Sequence, residues 1–272
     1  VQHGDVNDGD TTQMATYCCS MTAPIIPGAE PMSHVGSGDA GVLVLHGFTG
    51  NPGSMRGLAE AFAGAGFHVE MPLLAGHGTA VDDMIPTTWA DWTADVERAY
   101  QALTARASRI VVAGLSMGGS LTLWTASQHP EVRGIVCVNP AAFPFDDTMV
   151  GAIQGMIDAG TEVMDGIGSD IADPDVTELA YPGTPLRPLM SFQRDGLGPL
   201  AKTYSSTEVP LLLFTSTQDH VVPPQQSADL FSMYKGPKEH VMLERSYHVA
   251  TQDFDKQQIF DKSVAFAQRI TS

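Results

Sequence analysis

RIVVAGLSMGGS, Arg109 to Ser120, joins a β-branched run to a small-residue run through one serine set among glycines. Arg109–Leu115 reads as a buried strand. Gly118–His129 reads as a helix stopped before Pro130. Between them Gly114-Leu115-Ser116-Met117-Gly118 fits G-x-S-x-G. A strand-to-helix turn this sharp strains the serine backbone and pushes its side chain out at the sheet edge. Glycines on either side allow backbone to pack where a Cβ would clash. The helix behind the serine offers free N–H groups and a positive dipole end to a developing negative charge.

Outward from this stretch the chain alternates short apolar runs with amphipathic ones. Strands are expected at Gly41–Leu45, Phe67–Leu74, Gly134–Val138, Leu211–Thr215 and His240–Leu243. Helices are expected at Gly53–Gly66, Thr88–Ala107, Gln225–Lys235 and Asp255–Ile270. That rhythm implies βαβ units, hence an α/β fold with a mostly parallel central sheet flanked by helices. Residues from about 140 to 200 break it. They are rich in Gly, Met, Pro and Phe, with weaker helices expected near Met149–Gly160 and Asp175–Ala180. Long connections of this kind are uncommon unless functional, so the segment reads as a cap inserted over the sheet edge. The organisation expected is a disordered leader over 1–22, a core in two parts (23–139 and 201–272), and a cap over 140–200.

Composition bounds the function. Of 272 residues 43% are apolar and 17% charged, enough to bury a large core. The formal charge of −17 disfavours nucleic acid and anionic membrane surfaces, which need clustered Lys and Arg. A small uncharged ester meets no such repulsion. No apolar run reaches membrane-spanning length, so stable membrane insertion is not expected. Cys18, Cys19 and Cys137 form neither a disulfide framework nor a zinc pattern, which fits a cytoplasmic protein. No phosphate-cradling GxxxxGK[ST] occurs either, and the chemistry read here needs no metal or cofactor.

A serine hydroxyl needs a base. Of nine histidines, His248 lies a few residues past the last expected strand, on the sheet edge that carries Ser116. His46 and His77 fit loop-shaping roles better, and His220 adjoins the expected acid. That acid is Asp219, on the loop after the strand at Leu211–Thr215, in the order serine, acid, histidine. Its rivals Asp195, Asp253 and Asp255 lie in the cap or after the histidine. An oxyanion hole needs two N–H donors. Met117, directly after the serine, supplies one, and Phe48 in His46-Gly47-Phe48-Thr49-Gly50 the other.

Together these motifs resemble the bacterial monoacylglycerol lipase and carboxylesterase family of the α/β-hydrolase fold. LHGFTGNP (45–52), GHGT (76–79), GLSMGG (114–119), IGSD (167–170), PDVTELAY (174–181), DHVVPP (219–224) and SYHVAT (246–251) are similar to that family, in order. The resemblance implies the same Ser116–Asp219–His248 triad and the same donors, Phe48 and Met117. It further implies that Asn139 and Glu178 bind the glycerol hydroxyls and that Ile167 limits the glycerol pocket. Pro140 stands where the family has alanine, and Phe143–Gly166 differs in length and composition. The activity implied is release of a fatty acid and glycerol from a monoglyceride through an acyl-enzyme on Ser116. An acyl tail would meet Phe143, Phe145, Met149, Ile153, Met156 and Ile157. Two alternatives stand beside it. One is a carboxylesterase of other monoesters such as monoalkyl phthalates, with Arg187 or Arg194 facing the free carboxylate. The other is a binding module on the same fold.

Overall fold

The computed structural model describes residues 23–166 and 168–272. The expected leader with Cys18 and Cys19, and also Ile167, lie outside the described residues. The strands are β1 (Met32–His34), β2 (Ala40–Leu45), β3 (His68–Met71), β4 (Arg109–Leu115), β5 (Gly134–Val138), β6 (Val163–Asp165), β7 (Gly183–Pro185), β8 (Leu211–Ser216) and β9 (Lys238–Leu243). The helices are α1 (Arg56–Gly64), α2 (Val81–Met84), α3 (Trp89–Thr104), α4 (Met117–Gln128), α5 (Asp147–Asp158), α6 (Leu186–Ser191), α7 (Gly198–Leu200), α8 (Pro224–Met233) and α9 (Lys256–Thr271).

Seven strands form one sheet in the order β1-β3-β2-β4-β5-β8-β9. Every neighbouring pair is parallel except β1 with β3. The sheet is thus the expected mostly parallel one, with an antiparallel edge strand that the sequence reading lacked. Alternate residues of each strand serve opposite faces. Leu43, Leu45, Val112, Ile135 and Leu213 pack with Trp92, Val96 and Leu103 of α3 and Leu121 of α4. Val42, Val44, Val111, Val136 and Phe214 pack with Leu58 and Phe62 of α1 and Ile259 and Phe266 of α9. Each such side chain, once buried, stabilises the fold by roughly 1.5–3 kcal/mol. The register aligns Leu45 with Gly114, Leu115 with Val138, and Val138 with Phe214. His46, Ser116, Asn139 and Thr215 therefore emerge side by side along one edge.

Between the neighbouring strands β5 and β8 the chain makes a long excursion. There α5 and α6 bury Ile153, Ile157, Leu186 and Met190 against one another, while β6 and β7 pair antiparallel. A π-helix spans Phe192–Leu197. The helix expected at Asp175–Ala180 does not form. Its backbone is committed to distant loops instead: Tyr181 N donates to Thr49 O at 3.0 Å, and Leu179 O accepts from the Asn51 side chain. The Tyr181 hydroxyl accepts from Thr79 N and donates to Gly76 O.

Candidate active site

Ser116 leaves β4 with φ 56° and ψ −120°, and α4 starts at the next residue. Positive φ is uncommon for a residue with a Cβ and costs on the order of 1–3 kcal/mol. Two glycines make the turn possible. A Cβ on Gly114 would lie 2.1 Å from Gly118 O, and one on Gly118 would lie 2.2 Å from Leu45 O. The half-buried serine thus sits where β2, β4 and α4 approach most closely.

The base and acid expected from the sequence meet. His248 Nδ1 lies 2.7 Å from Asp219 Oδ2, with both side chains almost wholly buried. Asp219 Oδ1 accepts from Val221 N at 2.9 Å and Val222 N at 2.8 Å, which leaves Oδ2 for the imidazole. With Nδ1–H donating to Asp219, Nε2 is the ring's free acceptor. Ser116 lies on the same edge: its N–H donates to Val138 O at 3.0 Å, and the next residue, Asn139, reaches the His248 carbonyl at 2.8 Å. Among the described residues no hydrogen bond directly joins the Ser116 hydroxyl to the ring.

Gly47 follows β2 closely enough that a Cβ there would touch Ser116 Cβ at 3.4 Å. That contact brings the loop carrying Phe48 against the serine. Phe48 N has no hydrogen-bond partner among the described residues. Met117 N is the first N–H of α4, with no carbonyl a turn earlier in its own helix to receive it. The Phe48 ring stacks on Phe192 of the π-helix at 6.2 Å and meets Trp92 edge-on at 5.7 Å. Behind it lies a buried histidine pair, His46 and His77, with rings 5.0 Å apart. His46 Nε2 accepts from Leu74 N while Nδ1 donates to Gly47 O, fixing the loop. Burial, then the neighbouring His77, holds His46 well below the usual histidine value. Burial takes His77 down to about 4, against backbone bonds to Ala75 and Leu74 that oppose it.

Glu178 lies on irregular chain, half-buried, where a Cβ on Gly50 would meet its Oε1 at 3.2 Å. Burial raises its pKa; His248 lowers it and Asp170 raises it further. Asn139, which the resemblance implies as a glycerol contact, lies just past the end of β5. It is 1% exposed with φ 45°. Its Nδ2 donates to Ser216 Oγ and His248 O, and its Oδ1 accepts from Ser216 N at 2.7 Å. The amide joins β5, β8 and the histidine loop. The apolar stripe divides: Ile153 and Ile157 belong to the α5–α6 core, whereas Phe145, Met149 and Met156 are 39%, 50% and 37% exposed. Arg187 and Arg194 are both exposed.

Sequence reasoning missed what two further acids do. Asp253, fully buried, accepts from Ala172, Asp173, Tyr247 and Phe254 N–H groups. Asp170 accepts from the backbone of both His220 and His248. The available signal was their place within or beside IGSD and SYHVAT.

A parallel sheet, a serine on a strained strand-to-helix turn, and a histidine–carboxylate pair at the same sheet edge define an α/β hydrolase. The model of the Alpha/beta hydrolase family matches residues 42–261, and the chain belongs to that family. It is a hydrolase of the monoacylglycerol lipase-like kind. Over 250 residues it is 44% identical to the thermostable monoacylglycerol lipase of Bacillus sp. (strain H-257), covering 89% of this chain and 96% of that protein. It is 24% identical over 237 residues to a carboxylesterase of Bacillus subtilis (strain 168), covering 86% and 94%. A solved structure from work on the metagenome-derived lipolytic enzymes LipS and LipT superposes with a TM-score of 0.85 at 42% identity, covering 90% of this chain and all of that one. Among the described residues no helix is long and apolar enough to cross a membrane.

Proposed function

We propose that this protein hydrolyses monoacylglycerols to a fatty acid and glycerol, with Ser116 as nucleophile, His248 as base and Asp219 as the group that orients the base. The observation that carries the chemistry is the buried 2.7 Å bond from His248 Nδ1 to Asp219 Oδ2 at the edge where Ser116 emerges. The 44% identity to a monoacylglycerol lipase over most of both chains supports the substrate class.

His248 Nε2 takes the Ser116 proton as Oγ attacks the ester carbonyl, while Asp219 holds the tautomer and stabilises the imidazolium. The oxyanion meets the Phe48 and Met117 N–H groups, each contributing about 2.7–4 kcal/mol of barrier reduction. The imidazolium returns its proton to the leaving glycerol oxygen, and water repeats the two steps to free the acid. Glu178, beside Gly50 and close enough to His248 to feel its charge, accepts from a glycerol hydroxyl in this reading. Residues 140–200 act as a cap, and the exposed Phe145, Met149 and Met156 receive the acyl tail. A cytoplasmic location belongs to this reading and rests on composition alone.

The exposed positions of Arg187 and Arg194 favour a neutral ester over a monoalkyl phthalate. Comparison of 1-lauroylglycerol with a monoalkyl phthalate tests the substrate. A kcat/KM ratio above about threefold for the glyceride is expected, and a smaller ratio removes the assignment. Ser116→Ala tests the chemistry. Its kcat should fall on the order of 10⁵-fold or more, with loss of fluorophosphonate labelling; an unchanged adduct refutes the serine.

A further inference from the structure

Asp170 stands outside the sheet, in the excursion between β5 and β8, yet its carboxylate reaches both loops of the histidine–carboxylate pair. Oδ2 accepts from His248 N at 3.0 Å and from His220 N at 3.1 Å. Oδ1 pairs with His220 Nδ1 at 2.8 Å. Its own carbonyl accepts from Val249 N at 3.1 Å. The side chain is 12% exposed. The His220 ring meets Tyr247 edge-on at 4.5 Å, closing a circuit from Asp170 through His220 and Tyr247 to His248.

We propose that Asp170 is a positioning residue for the ester hydrolysis, clamping the backbone of His248 and of the residue beside Asp219 to one carboxylate. Sequence neighbours cannot do this, because the two loops lie 29 residues apart and share no strand pairing past the ends of β8 and β9. Hydrogen bonds to an ionised acceptor are roughly twice as strong as neutral ones, so a carboxylate holds two loop amides more firmly than an amide oxygen could. The clamp sets where the imidazole stands, and misplacing a reacting group by 1 Å can cost about 100-fold. Because the carboxylate belongs to the inserted segment, docking of that segment and alignment of the triad are one event. This inference rests on the triad reading above.

The test uses the full chain as Asp170→Asn and His220→Ala, with kcat on 1-lauroylglycerol expressed per fluorophosphonate-titrated site, and as Ser116→Ala, whose rate and labelling are read per mole of protein. The Asp170→Asn side chain removes the charge: its one remaining oxygen can still face the two backbone N–H groups, as a weaker neutral acceptor, with its amide nitrogen toward the His220 ring. We expect kcat to fall about tenfold or more with KM within about twofold of wild type. The low-field proton resonance of the His248–Asp219 hydrogen bond should broaden or vanish, which a loss of stability alone would not produce in the folded fraction. His220→Ala keeps the residue 220 amide and should lower kcat only about threefold. A kcat per site within about twofold of wild type for Asp170→Asn, or an unaltered resonance, overturns the clamp. If Asp170→Asn does not fold, Asp170→Ser, whose shorter hydroxyl cannot serve both backbone amides, carries the decision: an unchanged kcat per site and an unchanged resonance together overturn the clamp. An active or labelled Ser116→Ala instead sinks the triad reading, whatever position 170 does.

Discussion

Strands β4, β5 and β8 hold one another through a repeating backbone ladder, with every side chain from Ile110 to Leu115 buried on one face or the other. Residues 168–181 hold to the same molecule quite differently. They form no helix or strand. They are fixed by single polar groups reaching across the fold: Asp253 to Ala172 and Asp173, Asp170 to His248, the Tyr181 hydroxyl to Thr79 and Gly76. In the first region stability is spread over many equivalent contacts. In the second it is concentrated in a few acceptors, each of which serves several N–H groups. The region rich in such acceptors is also the one that touches the site.

Deleting apolar volume from the ladder should break the comparison most visibly. Leu213→Ala, at a fully buried position of β8, is expected to cost about 3 kcal/mol. Fluorescence and far-UV circular dichroism should report one shared, lowered unfolding midpoint.

Acid should act at the seam between the regions. His77 sits at about 4 in the folded state against 6.5 for the free side chain. The unfolded chain therefore binds more protons between those values, and stability present above pH 6.5 is lost as pH falls toward 4. The loss from this residue is about 3 kcal/mol, and His46 adds to it in the same direction. Urea unfolding at successive pH values checks this. His77→Gln should flatten the curve across that window, and a curve as steep as wild type would contradict the assignment.

Asp253→Asn should separate the two regions more cleanly than any apolar change. It leaves buried N–H groups facing an amide donor, at a cost of about 2 kcal/mol. Hydrogen exchange should quicken at the amides of Ala172 and Asp173 while those of β4 and β5 keep their protection. Uniform quickening would mean that the excursion and the sheet form one cooperative unit. The smallest effect belongs to the rim: Met149→Ser, half exposed on α5, should shift stability by less than about 0.5 kcal/mol. If Met149 meets an acyl tail, its loss should raise KM for long-chain glycerides more than for short ones.

The same division explains what the sequence made legible. Local pattern carries the ladder: RIVVAGL can bury both faces, GLSMGG turns it into α4, and the strand ends then bring His248 and Asp219 to the same edge as Ser116. The extra edge strand Met32–His34 has half-exposed residues and no apolar run to announce it. PDVTELA has helical spacing, yet partners drawn from the loops at 49–51 and 76–79 outcompete the helix, and no local window contains them. The bonds of Asn139 were out of reach for a related reason: its partners on β8 and the histidine loop lie far along the chain, and no local window contains them.

The backbone conformation of Ser116 also limits which residues can succeed one another at that position during evolution. Side chains branched at Cβ are the least tolerant of left-handed φ. Threonine, chemically the nearest relative of serine, is therefore a poor replacement here, whereas cysteine shares the unbranched Cβ and keeps a nucleophilic atom at the same place. Lineages that exchange their attacking atom on this scaffold have an open route from oxygen to sulfur and a hindered one from a primary to a secondary alcohol.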